Sequence, residues 1–356
     1  MSAAAALVKS DVWFADGNIV LIAGSTAFKV HRGQLERHSE IFRDLFSIPQ
    51  PEVQDEFDGC PWIEIFDSPG DLHYLLVALY DGLYFANSLA NNFLVVSAVL
   101  RLSTKYLIDH LRHRCLFHLR ADWPSTLEEW DARERLTVDG KGVYCPREMV
   151  AHPTLVIRLA KDLQLYDLLP SAYYDLSRYG PRRIVSGAPW PAPTPTSIDK
   201  EQRPAVYLDR HELQMVLLGR ESGQRFLSAF IEAELTGRPV AAQCDNKLQD
   251  AGRVCRESTY YVMLNVLRAI GGITHGRDAD PLFTLTLTVE MLSRTDFTDG
   301  VRRCGLKICS ACKADLRECV EKARRHVWAL IPQWFGLEAG ASPGSVGSAS
   351  SADDLD

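Results

Sequence analysis

DVWFADGNIVLIAGSTAFKVHRGQLERHSEIFRDLF, residues 11–46, is the stretch whose reading decides the fold. Val12 to Phe14 and Ile19 to Ala23 are β-branched or aromatic runs separated by Ala15-Asp16-Gly17-Asn18, which predicts a hairpin. Gly24-Ser25, with glycine first, suits a two-residue type II′ turn into Thr26 to Val30, so a three-stranded meander is expected. The period then changes. Leu35 in the segment His31 to Arg37, and Ile41, Phe42, Leu45 and Phe46 in Ser39 to Phe46, recur at helical spacing, with Ser39 placed to cap the second helix.

Outward from that stretch, Trp62-Ile63-Glu64-Ile65-Phe66 reads as another short strand, followed by Asp67-Ser68-Pro69, a capping site with proline inside the first turn. The helix that starts there carries Leu72, Leu75, Leu76 and Leu79 at steps of three and four and stops near Tyr80-Asp81-Gly82. Two further helical runs cover Phe93 to Tyr106 and Leu107 to Leu119.

This order of elements resembles the BTB, or POZ, domain over the first third of the chain. The resemblance is carried by Asp11 and Val12, Phe28, Val30-His31-Arg32, Leu35, Ser39-Glu40-Ile41-Phe42 and the run from Leu76 to Gly82. The longer pattern, with Phe46-Ser47-Ile48-Pro49-Gln50-Pro51 and Trp334-Phe335-Gly336-Leu337, is similar to the version multiplied in fungal genomes. The resemblance implies an α+β fold, a BTB domain with a short meander and helices followed by a mainly helical C-terminal region, and it implies protein–protein interaction. It also implies roles for particular residues. Asp11 and Arg32 match the acidic and basic members of the charged pocket at the homodimer face of long-form members; the bland alternatives are an intradomain salt bridge and, for Asp11, an exposed strand start. Long-form dimers use an extra helix before the first strand, and with ten residues before Asp11 dimerisation through that helix is not expected. Short-form relatives join cullin-based ubiquitin ligases through the loop after the helix ending at Phe46, where Val53-Gln54-Asp55 is a loose match. His31 reads as a satisfied histidine closing the strand-to-helix turn.

Composition fits that class. Of 356 residues, 46% are hydrophobic, enough for two or three cores, and the net charge of −7 supplies no basic field for a phosphate backbone. Arg182-Arg183, Arg302-Arg303 and Arg324-Arg325 are isolated pairs that read as solvated helix faces or ends. No apolar run approaches the length of a membrane span, and the alanines of Met1 to Ser10 lack a basic start, so neither a membrane anchor nor a secretory signal is expected. Nine cysteines, an odd number, point to reduced thiols in the cytoplasm or nucleus.

Four of those cysteines, Cys304, Cys309, Cys312 and Cys319, lie close together, and Cys309-x-x-Cys312 has zinc-knuckle spacing, with Cys244, Cys255 and His275 as distant candidate partners. The competing reading takes precedence here. Cys309, Cys312, Leu316, Cys319, Ala323, Val327 and Leu330 form one three-four stripe on a long helix, where free cysteine packs as a small hydrophobe. No cofactor and no metal is therefore expected.

The rest of the chain divides by its punctuation. Residues 1–120 are the BTB-like domain and 121–185 a helical extension. In the extension, Asp122-Trp123-Pro124-Ser125 opens a short helix and His152 to Tyr179 is periodic until Pro170 and Gly180-Pro181 interrupt it. Residues 186–204, with Pro189, Pro191, Pro193, Pro195 and Pro204, read as a stiff linker. Residues 205–337 are mainly helical, with long helices at Leu208 to Leu235, Arg253 to Ile270 and Cys304 to Phe335 and a strand-like alternation at Leu282 to Val289; residues 338–356, rich in Gly, Ser and Asp, are expected to be a disordered tail.

Catalytic motifs fail residue by residue. His211-Glu212 begins like a zinc-protease helix, but Met215 stands where the second histidine is required. Gly271 to Gly276 follows a helix and lacks Gly-Lys-Ser/Thr, and no Gly-x-Ser-x-Gly occurs. No small-molecule substrate is implied. The expected function is an interaction scaffold without catalysis, binding itself, a cullin or another protein, with neither nucleic acid nor membrane as partner. The alternatives are a substrate adaptor of a cullin-based ubiquitin ligase and a transcription-associated regulator that gathers corepressors. The candidate interaction residues are Asp11, Arg32, Phe46, Val53 and Asp55.

Overall fold

Ile19-Val20-Leu21-Ile22-Ala23 is buried at every position in the computed structural model, which describes residues 7–48, 56–83, 89–138, 144–191, 203–270, 280–295, 297–299 and 302–337. Burial on both faces puts this strand in the middle of a sheet. The sheet contains β1 (Val8–Trp13), β2 (Ile19–Ala23), β3 (Thr26–Val30), β4 (Glu56–Phe57) and β5 (Cys60–Ile65), in the order β1-β3-β2-β5-β4. β2 and β3 pair through the expected Gly24-Ser25 turn, with Ala23 opposite Thr26 and Gly24 at φ +54°, whereas the hairpin expected between β1 and β2 does not form. The expected meander is corrected at β1, which runs parallel to β3 because the second edge of β2 is taken by β5. The link between β1 and β2 crosses the end of β3, where the Phe14 amide donates to Lys29 O (3.0 Å) and the Asn18 amide to Val30 O (3.0 Å). Gly17 permits that crossing, since a Cβ there would lie 3.1 Å from the Val30 carbonyl oxygen.

Helices then pack on the sheet. α1 (Arg32–His38) and α2 (Glu40–Ser47) meet at Ser39, whose hydroxyl accepts from the Phe42 amide at 3.1 Å. α3 (Pro69–Tyr80) starts on the Ser68 cap with Pro69 in its first turn and buries Leu72, Leu75, Leu76 and Leu79. α4 (Leu89–Lys105) and α5 (Asp109–Asp122) follow, joined through Leu107 in the left-handed region at φ 52°. Asp122 ends α5 instead of opening the next helix, because Thr126 supplies the cap of α6 (Leu127–Leu136). Trp123 and Trp130, both almost fully buried, hold the Arg133 guanidinium at 4.9 and 4.6 Å from their rings. After α7 (Pro146–Met149) and α8 (Pro153–Asp162), the helical run breaks at Gln164, φ 57°, and Pro170 sits in the first turn of α9 (Leu169–Ser177) instead of interrupting it.

The chain forms two compact units, residues 1–172 with 185–208, and residues 173–184 with 209–356. Trp190 explains why the described part of the proline-rich segment belongs to the first unit. It packs on Phe93 at 6.1 Å, and the guanidiniums of Arg101 and Arg203 lie over its ring. Residues 192–202 lie outside the described residues.

In the second unit, α10 (Pro181–Val185) begins before the unit boundary, and α11 (Arg210–Phe230) starts on a capping box of Asp209 and Glu212 and runs into a π-helical turn at Ile231–Leu235. α12 (Lys247–Asp250), α13 (Arg253–Ile270), α14 (Pro281–Met291), β6 (Phe297–Asp299), β7 (Arg302–Cys304) and α15 (Ser310–Trp334) complete it. The strand-like Leu282 to Val289 is thus helical. Asp280 caps it, and Thr286 and Thr288 turn their hydroxyls back to the carbonyls of Leu282 and Thr284, which satisfies polar groups along a largely buried helix. Asp280 also accepts from Tyr174 Oη (2.7 Å) and Arg178 Nη1 (2.9 Å), and Arg178 pairs with Asp175. This buried charge network draws residues 173–184, part of the expected extension, into the second unit. Among the described residues, no helix is long and apolar enough to cross a membrane.

One buried carboxyl makes the first unit pH-sensitive. Burial pushes Asp122 up to about 7 against the opposing pull of Arg133 and Arg147, and one of its oxygens has no hydrogen-bond partner among the described residues. A raised folded-state pKa means that the proton stabilises the fold. That contribution is complete below the unfolded value and is lost as pH rises through about 7. Asp122→Asn removes the dependence. Thermal denaturation is expected to show the variant gaining on the unmodified chain by ~2–4 kcal/mol between pH 5 and pH 8; parallel profiles would contradict this.

Candidate functional site

The strand-to-helix corner of the first unit brings together His31, Arg32 and Phe46 of the residues singled out from the sequence. His31 closes it as expected: its backbone amide donates to Tyr80 Oη at 2.9 Å, and its ring lies between that hydroxyl (Nδ1, 3.1 Å) and Asp16 (Nε2, 3.3 Å). Phe14 stacks on Tyr80 at 4.4 Å, and burial raises the Tyr80 phenol, which keeps its proton and its role in the corner. Asp11 and Arg32 each have another partner instead of each other. The Asp11 carboxylate meets Nε2 of the buried His73 at 2.9 Å. Arg32 pairs with Glu36 at 2.7 Å, donates to the Phe46 carbonyl at 3.0 Å and lies over the Phe46 ring. Phe46 itself is buried. It supports α2 from inside. Val53 and Asp55 lie outside the described residues.

The outer face of α2 is apolar where solvent would favour polar residues, for Ile41 on α2 and Ile48 just after it stand exposed about two helical turns apart. Spacing marks Ile41 as a helical apolar position but does not separate it from the buried Phe42 and Phe46, because two faces of so short a helix are hard to tell apart by spacing alone. Residues 14–122 match the family model of the BTB/POZ domain.

The first unit is built on a BTB/POZ domain. No curated protein matches the chain. The BTB/POZ domain marks this part of the chain as a protein-interaction module. Its matched span begins just after β1 and runs through α5, and so includes the Ser39 joint, the His31 corner and the exposed Ile41 and Ile48.

The second unit holds two side-chain clusters. An open groove of about 630 Å³ runs beside α15, lined by Phe226, Phe230, Glu234, Arg238, Cys319 and His326 among others. Cys319 lies 3.1 Å from Glu234, and burial followed by that carboxylate pushes its thiol up to about 11, which makes it a poor nucleophile. The other cluster corrects the sequence reading. Cys309 is the cap of α15 and not part of a stripe along it, and its sulfur meets those of Cys312, Cys244 and Cys255, all within 4.8 Å of one another. Cys319 sits elsewhere on the helix, and the side chain of Cys304 and the whole of His275 lie outside the described residues. Burial pulls the Cys309 thiol upward, but amides of Cys312 and Asp245 outweigh it and bring it to about 7, while burial raises Cys244.

The Asp11–His73 contact predicts how the two charged residues separate. Asp11→Ala leaves the buried His73 without its Nε2 partner and is expected to cost ~1–2 kcal/mol, whereas Arg32→Ala, whose charge pair is exposed, is expected to cost less than ~1 kcal/mol. Urea denaturation at two widely separated protein concentrations checks this. The losses are expected to be independent of concentration, and a loss that grows on dilution would place these residues at a subunit interface.

Proposed function

We propose that this chain is a non-catalytic scaffold whose BTB/POZ domain binds a partner protein through the outer side of α2, with the helical second unit offering a further binding surface. The family match of residues 14–122 carries this reading. The exposed Ile41 and Ile48 support the choice of face, since an apolar pair that solvent does not favour gains free energy when a partner covers it. A cullin is one partner that fits. By resemblance a cullin contact is expected in the loop following Phe46, and Ile48, which is 56% exposed, directly follows α2 there. In that case the protein is a substrate adaptor of a ubiquitin ligase and the second unit is the part that chooses the substrate.

Affinity capture of the tagged full-length chain from native extract, beside an Ile41→Asp, Ile48→Asp variant, tests the proposal. Both positions are solvent-facing, so the variant is expected to keep its melting temperature and to lose partner recovery by about tenfold, equivalent to ~1.4 kcal/mol. Equal recovery by the two proteins would overturn the assignment of this face. A cullin in the captured set selects the adaptor reading; recovery of a second, differently tagged copy selects self-association.

A further inference from the structure

Cys244, Cys255, Cys309 and Cys312 come from three separate parts of the second unit and converge on one point. Cys244 lies in the loop after the π-helical turn, Cys255 in the first turn of α13, and Cys309 and Cys312 at the cap and first turn of α15. Cys244 Sγ stands 3.7 Å from Cys255 Sγ and 3.7 Å from Cys309 Sγ. A tetrahedral zinc with Zn–S bonds of 2.3 Å requires sulfur–sulfur edges of about 3.8 Å. A disulfide requires a bond of about 2.0 Å, so the observed spacing fits a shared central ion and does not fit a covalent pair.

The surroundings are those of thiolates. Cys255 Sγ accepts from Asn246 Nδ2 at 3.3 Å and from the Cys309 amide at 3.4 Å, Cys312 Sγ accepts from the Ala241 amide at 3.4 Å, and Cys309 Sγ from the Cys312 amide at 3.5 Å. Neutral thiols packed as small hydrophobes have no need of so many N–H donors, whereas sulfurs that carry metal-bound negative charge do. The N-termini of two long helices, α13 and α15, also meet here, and their positive dipole ends favour an anionic cluster.

We infer that these four cysteines bind a structural zinc ion that ties the loop around Cys244 to the N-termini of α13 and α15. All four protein ligands are supplied, so the site is closed, as structural zinc sites are, and offers no position for substrate. Binding exchanges four thiol protons for one Zn²⁺; the protons leave to solvent and the centre keeps two net negative charges, which the N–H donors and helix ends stabilise. An all-sulfur tetrahedron also accepts ferrous iron, but zinc stands above it in divalent affinity.

Elemental analysis of the full-length chain, purified under reducing conditions, tests this. About one zinc per chain is expected. The ion is expected to be lost in Cys309→Ser, Cys312→Ser and in Cys244→Ser, Cys255→Ser, and kept in Cys319→Ser. Because the double variants are open to misfolding, cobalt(II) exchange into the unmodified chain provides an independent readout: thiolate-to-cobalt charge transfer and the visible bands of a tetrahedral site. Iron in place of zinc, a substoichiometric metal content, an octahedral cobalt spectrum, or zinc retained by both double variants would each overturn the inference.

Discussion

Ser39 and Tyr106 hold the first unit together. The Ser39 hydroxyl caps α2 through the Phe42 amide and donates to the Tyr106 carbonyl at 2.6 Å, across 67 residues of chain. Phe42 stacks on the Tyr106 ring at 4.6 Å, and the Tyr106 hydroxyl donates to Asp67, which also pairs with Lys105 at 2.6 Å. Burial first, and then that carboxylate, push the phenol upward, so Tyr106 stays a donor. One small cluster thereby joins α2, the β5–α3 connection and the end of α4. Ser39, Phe42 and Tyr106 are buried, so loss of one partner among them leaves others unsatisfied, and the cost exceeds that of one hydrogen bond. α2 also carries the exposed Ile41, with Ile48 just beyond it. The face proposed for binding is set by an interior contact.

The second unit depends on polar groups of another kind. Asp280 caps α14 and neutralises Arg178, and both are almost fully buried. Such a network is weak evidence for stability, but it is demanding in geometry, because a single displaced member leaves a buried charge. Gly219 meets the same demand sterically: a Cβ there would fall 2.1 Å from the Phe335 ring, so α11 and the end of α15 approach closely only with glycine at that position.

Local signals were legible in the sequence, and pairings were not. The Ser39 and Ser68 caps, the Gly24-Ser25 turn and the apolar row of α3 are decided by neighbours within a few residues, so spacing reveals them. The place of β1 beside β3 is not so decided: alternation marks a strand but leaves its neighbour open until β5 occupies the far edge of β2. Leu282 to Val289 misled for a related reason, since threonines alternating with apolar residues suit a strand unless a cap such as Asp280 starts a helix and the hydroxyls bond back along it. The cysteines show the same limit. Cys309-x-x-Cys312 was visible as a pair, but Cys255 lies 54 residues before Cys309, and only folding sets them beside Cys244 while Cys319 goes to a different side. Asp11 and Arg32 were matched by resemblance; the partner of Asp11, His73, lies 62 residues away and is set by packing, whereas Glu36 sits one turn beyond Arg32 on the same helix.

The dependence of the binding face on the Ser39–Tyr106 joint is tested most directly by hydrogen exchange and mass spectrometry on full-length Ser39→Ala beside the unmodified chain. Removal of the cap and of the bond to Tyr106 is worth ~1–2 kcal/mol, so exchange is expected to accelerate about tenfold. The acceleration should appear together in residues 40–47 and 102–109, with β2 and β3 unchanged. A change confined to the first turn of α2 would contradict the account.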